Sequence, residues 1–166
     1  MKTALCIQKM IDFYNADVRE INHFLKVYAF ARTIGRAHGL DERTQELLEV
    51  AAIVHDIACP LCREKYGHAD GKMQELEGPP LAKDFLQSLG YEDDFISRIC
   101  FLVGHHHSYD KVDNMDYQIL LEADFLVNAF ESSYSADAIE KAAAKIFKTE
   151  TGLQLLKSMY HKSDGI

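Results

Sequence analysis

The chain has 166 residues, 48% of them hydrophobic and 27% charged, with a formal net charge of -8, which fits one domain spanning 1–166 with its own core. The acidic balance excludes a nonspecific nucleic-acid or anionic-membrane binder, whose electrostatic footprint is basic. No run approaches the about 18 uninterrupted apolar residues of a membrane span and Met1 to Lys9 hold no signal-peptide core, so the expected location is the cytoplasm.

Ile21, Phe24, Leu25, Tyr28, Ala29 and Ile34 recur every three to four residues and predict an amphipathic helix from Ala16 to Ala37, stopped at Gly39. Asp41 reads as the N-cap of the next helix, whose face of Leu47, Leu48, Ala51, Ala52 and Val54 runs on to His55. Residues 59–78 mix charges, glycine and His68, and read as a long loop with room for one short helix. The C-x-x-C spacing of Cys59 and Cys62 lacks a second pair or a βαβ context, so these read as packing cysteines, and the four cysteines of the chain show no disulfide framework. Pro79-Pro80 opens a helix through Leu81, Phe85, Leu86 and Leu89 that stops at Gly90, since proline is tolerated in a first turn and glycine just past the last. A helix from Glu92 to His106 follows, its stripe Phe95, Ile96, Ile99 and Val103 projecting onto His106. Met115 to Glu131 repeats the pattern, and Ser135 caps the C-terminal helices of 132–166. With no hairpin signal, repeat or Gly-rich phosphate loop, the chain reads as an all-α single-domain bundle of about six to eight helices.

The chemistry gathers in four places. His55 and Asp56 stand where the apolar run Val50 to Val54 gives out, and burying an imidazole beside a carboxylate is costly unless a partner or metal compensates. His23, the run His105-His106-His107, and Asp124 lie in other predicted helices. Singly, His23 reads equally as a satisfied core histidine and Asp124 as a carboxylate bonding a helix terminus. Jointly, two imidazoles and two carboxylates suit a divalent ion, Fe, Mn, Co, Ni or Zn with Mg also accommodated, and without cysteine ligands a closed structural zinc site is disfavoured.

These residues resemble those of HD-domain metal-dependent phosphohydrolases: His23 with Val27 one turn on, Leu48 to Ile57 enclosing His55-Asp56, and Leu121-Glu122-Ala123-Asp124, across residues 18–131. The resemblance implies an HD-type helical bundle in which His23, His55, Asp56 and Asp124 hold a first metal. Some relatives bind a second ion through two further histidines. Here Glu77 stands in the place of the first, as an oxygen ligand, and His106 or its neighbour His105 supplies the other. That arrangement is similar to the branch that hydrolyses dinucleoside polyphosphates symmetrically. Ala58-Cys59 after the HD pair departs from relatives with Lys or Glu there, the Glu being the catalytic acid of 5′-deoxynucleotidases, so that mode of catalysis is not expected.

The implied reaction is hydrolysis of a phosphoester or phosphoanhydride of a nucleotide or related small phosphate. One or two divalent ions would lower the pKa of bound water from about 15.7 to about 7 and neutralise charge on the phosphoryl group, making a metal-bound hydroxide the nucleophile. Asp56 is then the bridging carboxylate, and Asp124 or a free histidine among 105–107 the proton acceptor. Neighbours on a helix point about 100° apart, so His106 rather than His107 is expected to face the site. Lys26, one turn from His23, is the candidate contact to substrate phosphate, whereas Arg63 and Lys65 read as solvated charges. Two other classes share the ligand shell, a di-iron oxygenase and a nucleotide sensor without turnover. The partners expected are a small phosphorylated substrate, foremost a nucleotide, with no nucleic acid and no membrane, and a homodimer remains open.

Overall fold

Side-chain caps and backbone reversals divide the described residues, 2–160 of this computed structural model, into nine helices. They are α1 (Lys2–Tyr14), α2 (Val18–His38), α3 (Glu42–Val54), α4 (Cys59–Tyr66), α5 (Gly71–Ser88), α6 (Asp93–Val103), α7 (Met115–Glu131), α8 (Ala136–Lys145) and α9 (Glu150–Tyr160). The all-α architecture is the expected one, although α1 lies outside the expected elements. Its buried positions Cys6, Met10 and Tyr14 recur every fourth residue, the spacing of one helical face. The last residues of the expected C-terminal stretch, 161–166, lie outside the described residues.

Asn15 and Ala16 take left-handed φ values of 45° and 69°, so α2 starts behind the Asp17 cap and not at Ala16. Gly39, at φ 81°, ends it by returning its N–H to the carbonyls of Gly35 and Arg36. The Asp41 carboxylate then accepts the N–H groups of Arg43 and Thr44 and opens α3.

Residues 59–78 are not a long loop. They form α4 and the first part of α5, which begins where Asp70 accepts the Met73 N–H at 3.1 Å. Pro79 and Pro80 do not open α5 but lie inside it, at the cost of two backbone donors. Packing on α6 overrides that cost. Ala82 and Leu86 are fully buried, and a Cβ added to Gly78 would lie 2.5 Å from Val103 Cγ1, so the Val103 side chain of α6 packs directly on the α5 backbone. Nor does α6 reach His106; it stops at Val103, and residues 104–107 turn away.

Helices α3 and α7 are buried nearly all round, as expected of central helices. Helix α2 packs against both, and α1 and α6 pack against α3. Among the described residues no helix is long and apolar enough to cross a membrane. A carboxylate ties the C-terminal part to this centre. Glu122, fully buried in α7, accepts the N–H groups of Lys148 at 2.7 Å and Thr149 at 3.0 Å, the Gln118 amide at 2.8 Å, and the Thr149 hydroxyl. It sits at the start of α9, the end of a helix that favours negative charge.

Glu122→Ala leaves the N–H groups of Lys148 and Thr149 without their acceptor, and each orphaned buried donor costs about 1–3 kcal/mol. We predict a loss of at least about 2 kcal/mol in urea unfolding with α9 amides exchanging first; stability unchanged would show that the carboxylate does not hold α9 in place.

Candidate metal centre

Two helix endings and two helix interiors converge on one point. His23 comes from the buried face of α2 and Asp124 from the middle of α7, while His55 and Asp56 follow the end of α3 and His106 and His107 follow the end of α6. The Nε2 atoms of His23 and His55 lie 3.2 Å apart. Asp124 Oδ1 is 3.2 and 3.5 Å from them, and Asp56 Oδ2 is 3.3 and 3.4 Å from them. The other oxygen of Asp56, Oδ1, faces His106 Nε2 at 3.1 Å, and Asp56, His106 and His107 form a second group of donor atoms. Asp56 therefore offers one oxygen to each group.

The outer partners decide which ring nitrogens carry protons. His55 Nδ1 lies 2.9 Å from the Ala52 carbonyl and His106 Nδ1 2.8 Å from the Val103 carbonyl. A carbonyl oxygen only accepts, so both rings donate from Nδ1 and turn a lone pair inward at Nε2. His23 does the same toward the Glu131 carboxylate at 2.8 Å, which Lys26 holds from its other side. The centre is thus a set of acceptors facing one another, which ring protonation or a cation must neutralise. Two imidazoles and two carboxylates at mutual distances near 3.3 Å fit a divalent ion, with His23, His55, Asp56 and Asp124 as the residues able to hold it.

In the protein alone, protons play that part. Burial disfavours a charged His55, but the charge of Asp56 and the bond with Asp124 outweigh it and raise its pKa well above the ordinary 6.5. His23 is raised in the same way, burial being overcome by its bond to Asp124. Burial would raise Asp56 and Asp124, yet the facing imidazoles hold both below the usual carboxylate range. His107 differs. Burial, with His106 beside it, lowers its pKa to about 4, so it stands neutral.

Not every expected residue reaches the centre. Glu77 is held away, its carboxylate accepting from Lys65 and the Tyr66 hydroxyl, each at 2.5 Å. The cause is α5, whose early start turns Glu77 toward α4 and leaves no loop to carry it inward. His105 also turns away, its Nδ1 on the Phe101 carbonyl at 2.7 Å and its ring stacked on Phe101. His107, expected to point elsewhere, joins the centre because α6 ends before the three histidines and the 100° rule no longer applies. Lys26 does not line the cleft over the centre; its ammonium goes to Glu131. Arg63 does line it and donates to Glu20 at 2.8 Å and Asp17 at 3.1 Å, so it is not merely a solvated charge. Glu131 went unread in the sequence, although it lies seven residues from Asp124, two turns along the same face of α7.

The cleft has a volume of about 320 Å³ and reaches from His23 and Asp56 to a mouth at Arg19, Arg63 and His68. Cys59 lies in its wall, with burial and then the Asp56 charge pushing its thiol pKa up, so this cysteine stays protonated.

The HD domain family profile matches residues 21–149. Among solved structures the chain is similar to a predicted HD superfamily hydrolase from an uncultured Thermotogales bacterium, with 22% sequence identity, a TM-score of 0.63, and coverage of 95% of this chain and 83% of that one. A likeness at that identity speaks for the fold. No curated protein compared with the chain matches it.

Two expectations follow from the geometry. Because Glu131 acts on the centre only through His23, Glu131→Gln should weaken metal binding about 10- to 100-fold while the helical signal is kept; unchanged affinity in a chelator competition would remove it from the design. The second concerns pH. Raised His pKa values stabilise the metal-free fold fully below the ordinary 6.5, and that contribution is lost as pH rises through the raised values. The melting temperature of chelator-treated protein should therefore fall as pH climbs above 6.5, whereas a bound divalent ion, which needs neutral rings, should bind more tightly over the same interval. A metal-free melting temperature that rises with pH would contradict the assignment.

Proposed function

The chain belongs to the HD domain family, and on that premise we propose that it is a metal-dependent phosphohydrolase, cleaving a phosphoester or phosphoanhydride of a nucleotide or related small phosphate. The observation that carries the reading is the two-sided placement of Asp56, with Oδ2 toward His23 and His55 and Oδ1 toward His106. Such a carboxylate can serve one ion or bridge two. The ions that suit the donor set are Fe, Mn, Co, Ni or Zn, with Mg accommodated by the oxygens.

When bound, a divalent ion supplies a lowered pKa for water and positive charge against the transferring phosphoryl group. The chain's own residues do the rest. Asp56 and Asp124, both ionised, carry the negative charge that retains the cation, and Asn128 holds Asp124 in place by donating to Oδ1 at 2.8 Å. His107, neutral beside Asp56, offers an unprotonated ring nitrogen that can accept a hydrogen bond from the attacking water and orient it. Water adds to phosphorus, the bond from phosphorus to the leaving oxygen breaks, and the proton ends on that oxygen. Arg19 and Arg63 at the cleft mouth favour an anionic substrate over the uncharged ones that oxygen activation would also admit.

Phosphate release should be measured over a panel of phosphate esters, with each metal restored in turn. Asp56→Asn is expected to abolish release together with most bound metal, and His106→Ala and His107→Ala to slow it, while His105→Ala keeps at least half of the rate. Failure of every ester with every metal, or turnover that requires dioxygen and liberates no phosphate, would refute the reading.

A further inference from the structure

The lining of the cleft says more about the substrate than the metal centre does. Arg19 stands one turn before His23 on α2, at the mouth of the cleft, and Arg63 faces it from α4. Arg63 is committed to Glu20 and Asp17, each within 3.1 Å. Arg19 makes no ion pair among the described residues. An exposed guanidinium beside a metal centre, with its planar fork unspent, is matched to the oxygens of a phosphate.

The rest of the wall is polar. Glu20, Gln74, Asn128 and Glu131 line it, and its residues without a charged or amide side chain are the imidazoles and Cys59, Gly67 and Ala69. Asn128 spends its amide N–H on Asp124 and leaves its carbonyl oxygen as an acceptor, while Gln74 is anchored by the Ala69 carbonyl at 2.9 Å. No Phe or Tyr is among the lining residues. Its only rings are imidazoles, with His23 part of the donor cluster and His68 at 3.3 Å from Asp70. A nucleobase would find no flat apolar face here, and hydroxyl groups would find several partners. A separate cleft with Tyr109, Phe125 and Ile146 shares no lining residue with this one. The volume of about 320 Å³ is at the small end of ligand sites, which run from about 300 to 1,000 Å³.

We propose that Arg19 grips the phosphate of the substrate and that the substrate is the phosphate monoester of a small polyhydroxylated molecule, a sugar or polyol phosphate. For the reaction this rests on the phosphohydrolase reading and narrows it; for the ligand it rests on the cleft alone. Hydrolysis of such an ester consumes one water and yields the free alcohol and inorganic phosphate.

A matched pair of probes isolates the base. The non-hydrolysable methylenephosphonates of ribose and of adenosine share the phosphate and the sugar and differ by adenine. Calorimetry on the metal-loaded protein should show the adenosine compound binding less than about five-fold more tightly than the ribose compound, because a stacked base contributes at least that factor. Arg19→Ala should weaken the ribose compound by about ten-fold or more, with Arg19→Lys between the two and metal content unchanged in both. A gain of five-fold or more from adenine, or no loss in Arg19→Ala, overturns the inference. Phosphate release from ribose 5-phosphate and adenosine 5′-monophosphate is measured separately. Binding as expected with no release from any ester sinks hydrolysis and keeps the ligand assignment; release combined with a strong gain from adenine keeps hydrolysis and sinks the ligand assignment.

Discussion

Acceptor lone pairs converge inside this protein. His23 and His55 turn nitrogens toward each other at 3.2 Å, with oxygens of Asp56 and Asp124 3.2 to 3.5 Å away, and each ring has already spent its proton on an outer partner. In a buried setting such a cluster is unfavourable until positive charge is shared among its members. That requirement explains why these side chains, otherwise costly to bury, stand at the meeting point of the central helices. It also explains the paired pKa directions, imidazoles up and carboxylates down, since both record the same interaction from its two sides.

The ends of helices do the aiming. The last carbonyls of any helix lack an intrahelical partner. Here the Ala52 carbonyl receives His55 and the Val103 carbonyl receives His106, in each case from three residues further on. One device thus satisfies a stray backbone acceptor, selects the ring tautomer and points Nε2 at the centre. It works only because α3 stops at Val54 and α6 at Val103; one more turn of helix would occupy those carbonyls and swing the rings away. His23, set within α2, has no free carbonyl to use and takes Glu131 instead, which accepts from Lys26 as well.

Around the centre, charge is balanced locally within an acidic chain. Arg63 bridges Glu20 and Asp17 across the cleft wall, and Arg98 fastens the first turn of α7 and the segment before it through Asp116 and Asp113 at 2.6 to 2.8 Å. The first of these pairings fixes the cleft wall. Among the described residues Arg19 has no such duty, which is what separates a wall residue from one left to meet a ligand.

Hydrophobic period and capping residues made α2, α3 and α7 legible from the sequence, and with them the positions of His23, His55, Asp56 and Asp124, because a buried stripe that ends on a polar pair is a local signal. The long-range facts were not local. Whether Glu77 reaches the centre depends on α5 running through two prolines, a choice made by its contact with α6 at Gly78 and Val103 and by nothing in its own propensity. Which of three consecutive histidines faces inward depends on where α6 ends, and that is set by the packing of Gly104 under Pro79, with a hypothetical Cβ only 3.0 Å from the ring. The sequence by itself determined the helical bundle and the chemistry of its donor atoms, through periodicity and residue type. Tertiary packing alone decided which donors share a centre and which cation, among the described residues, stands without an ion pair at its mouth, since those depend on contacts between residues far apart in the chain.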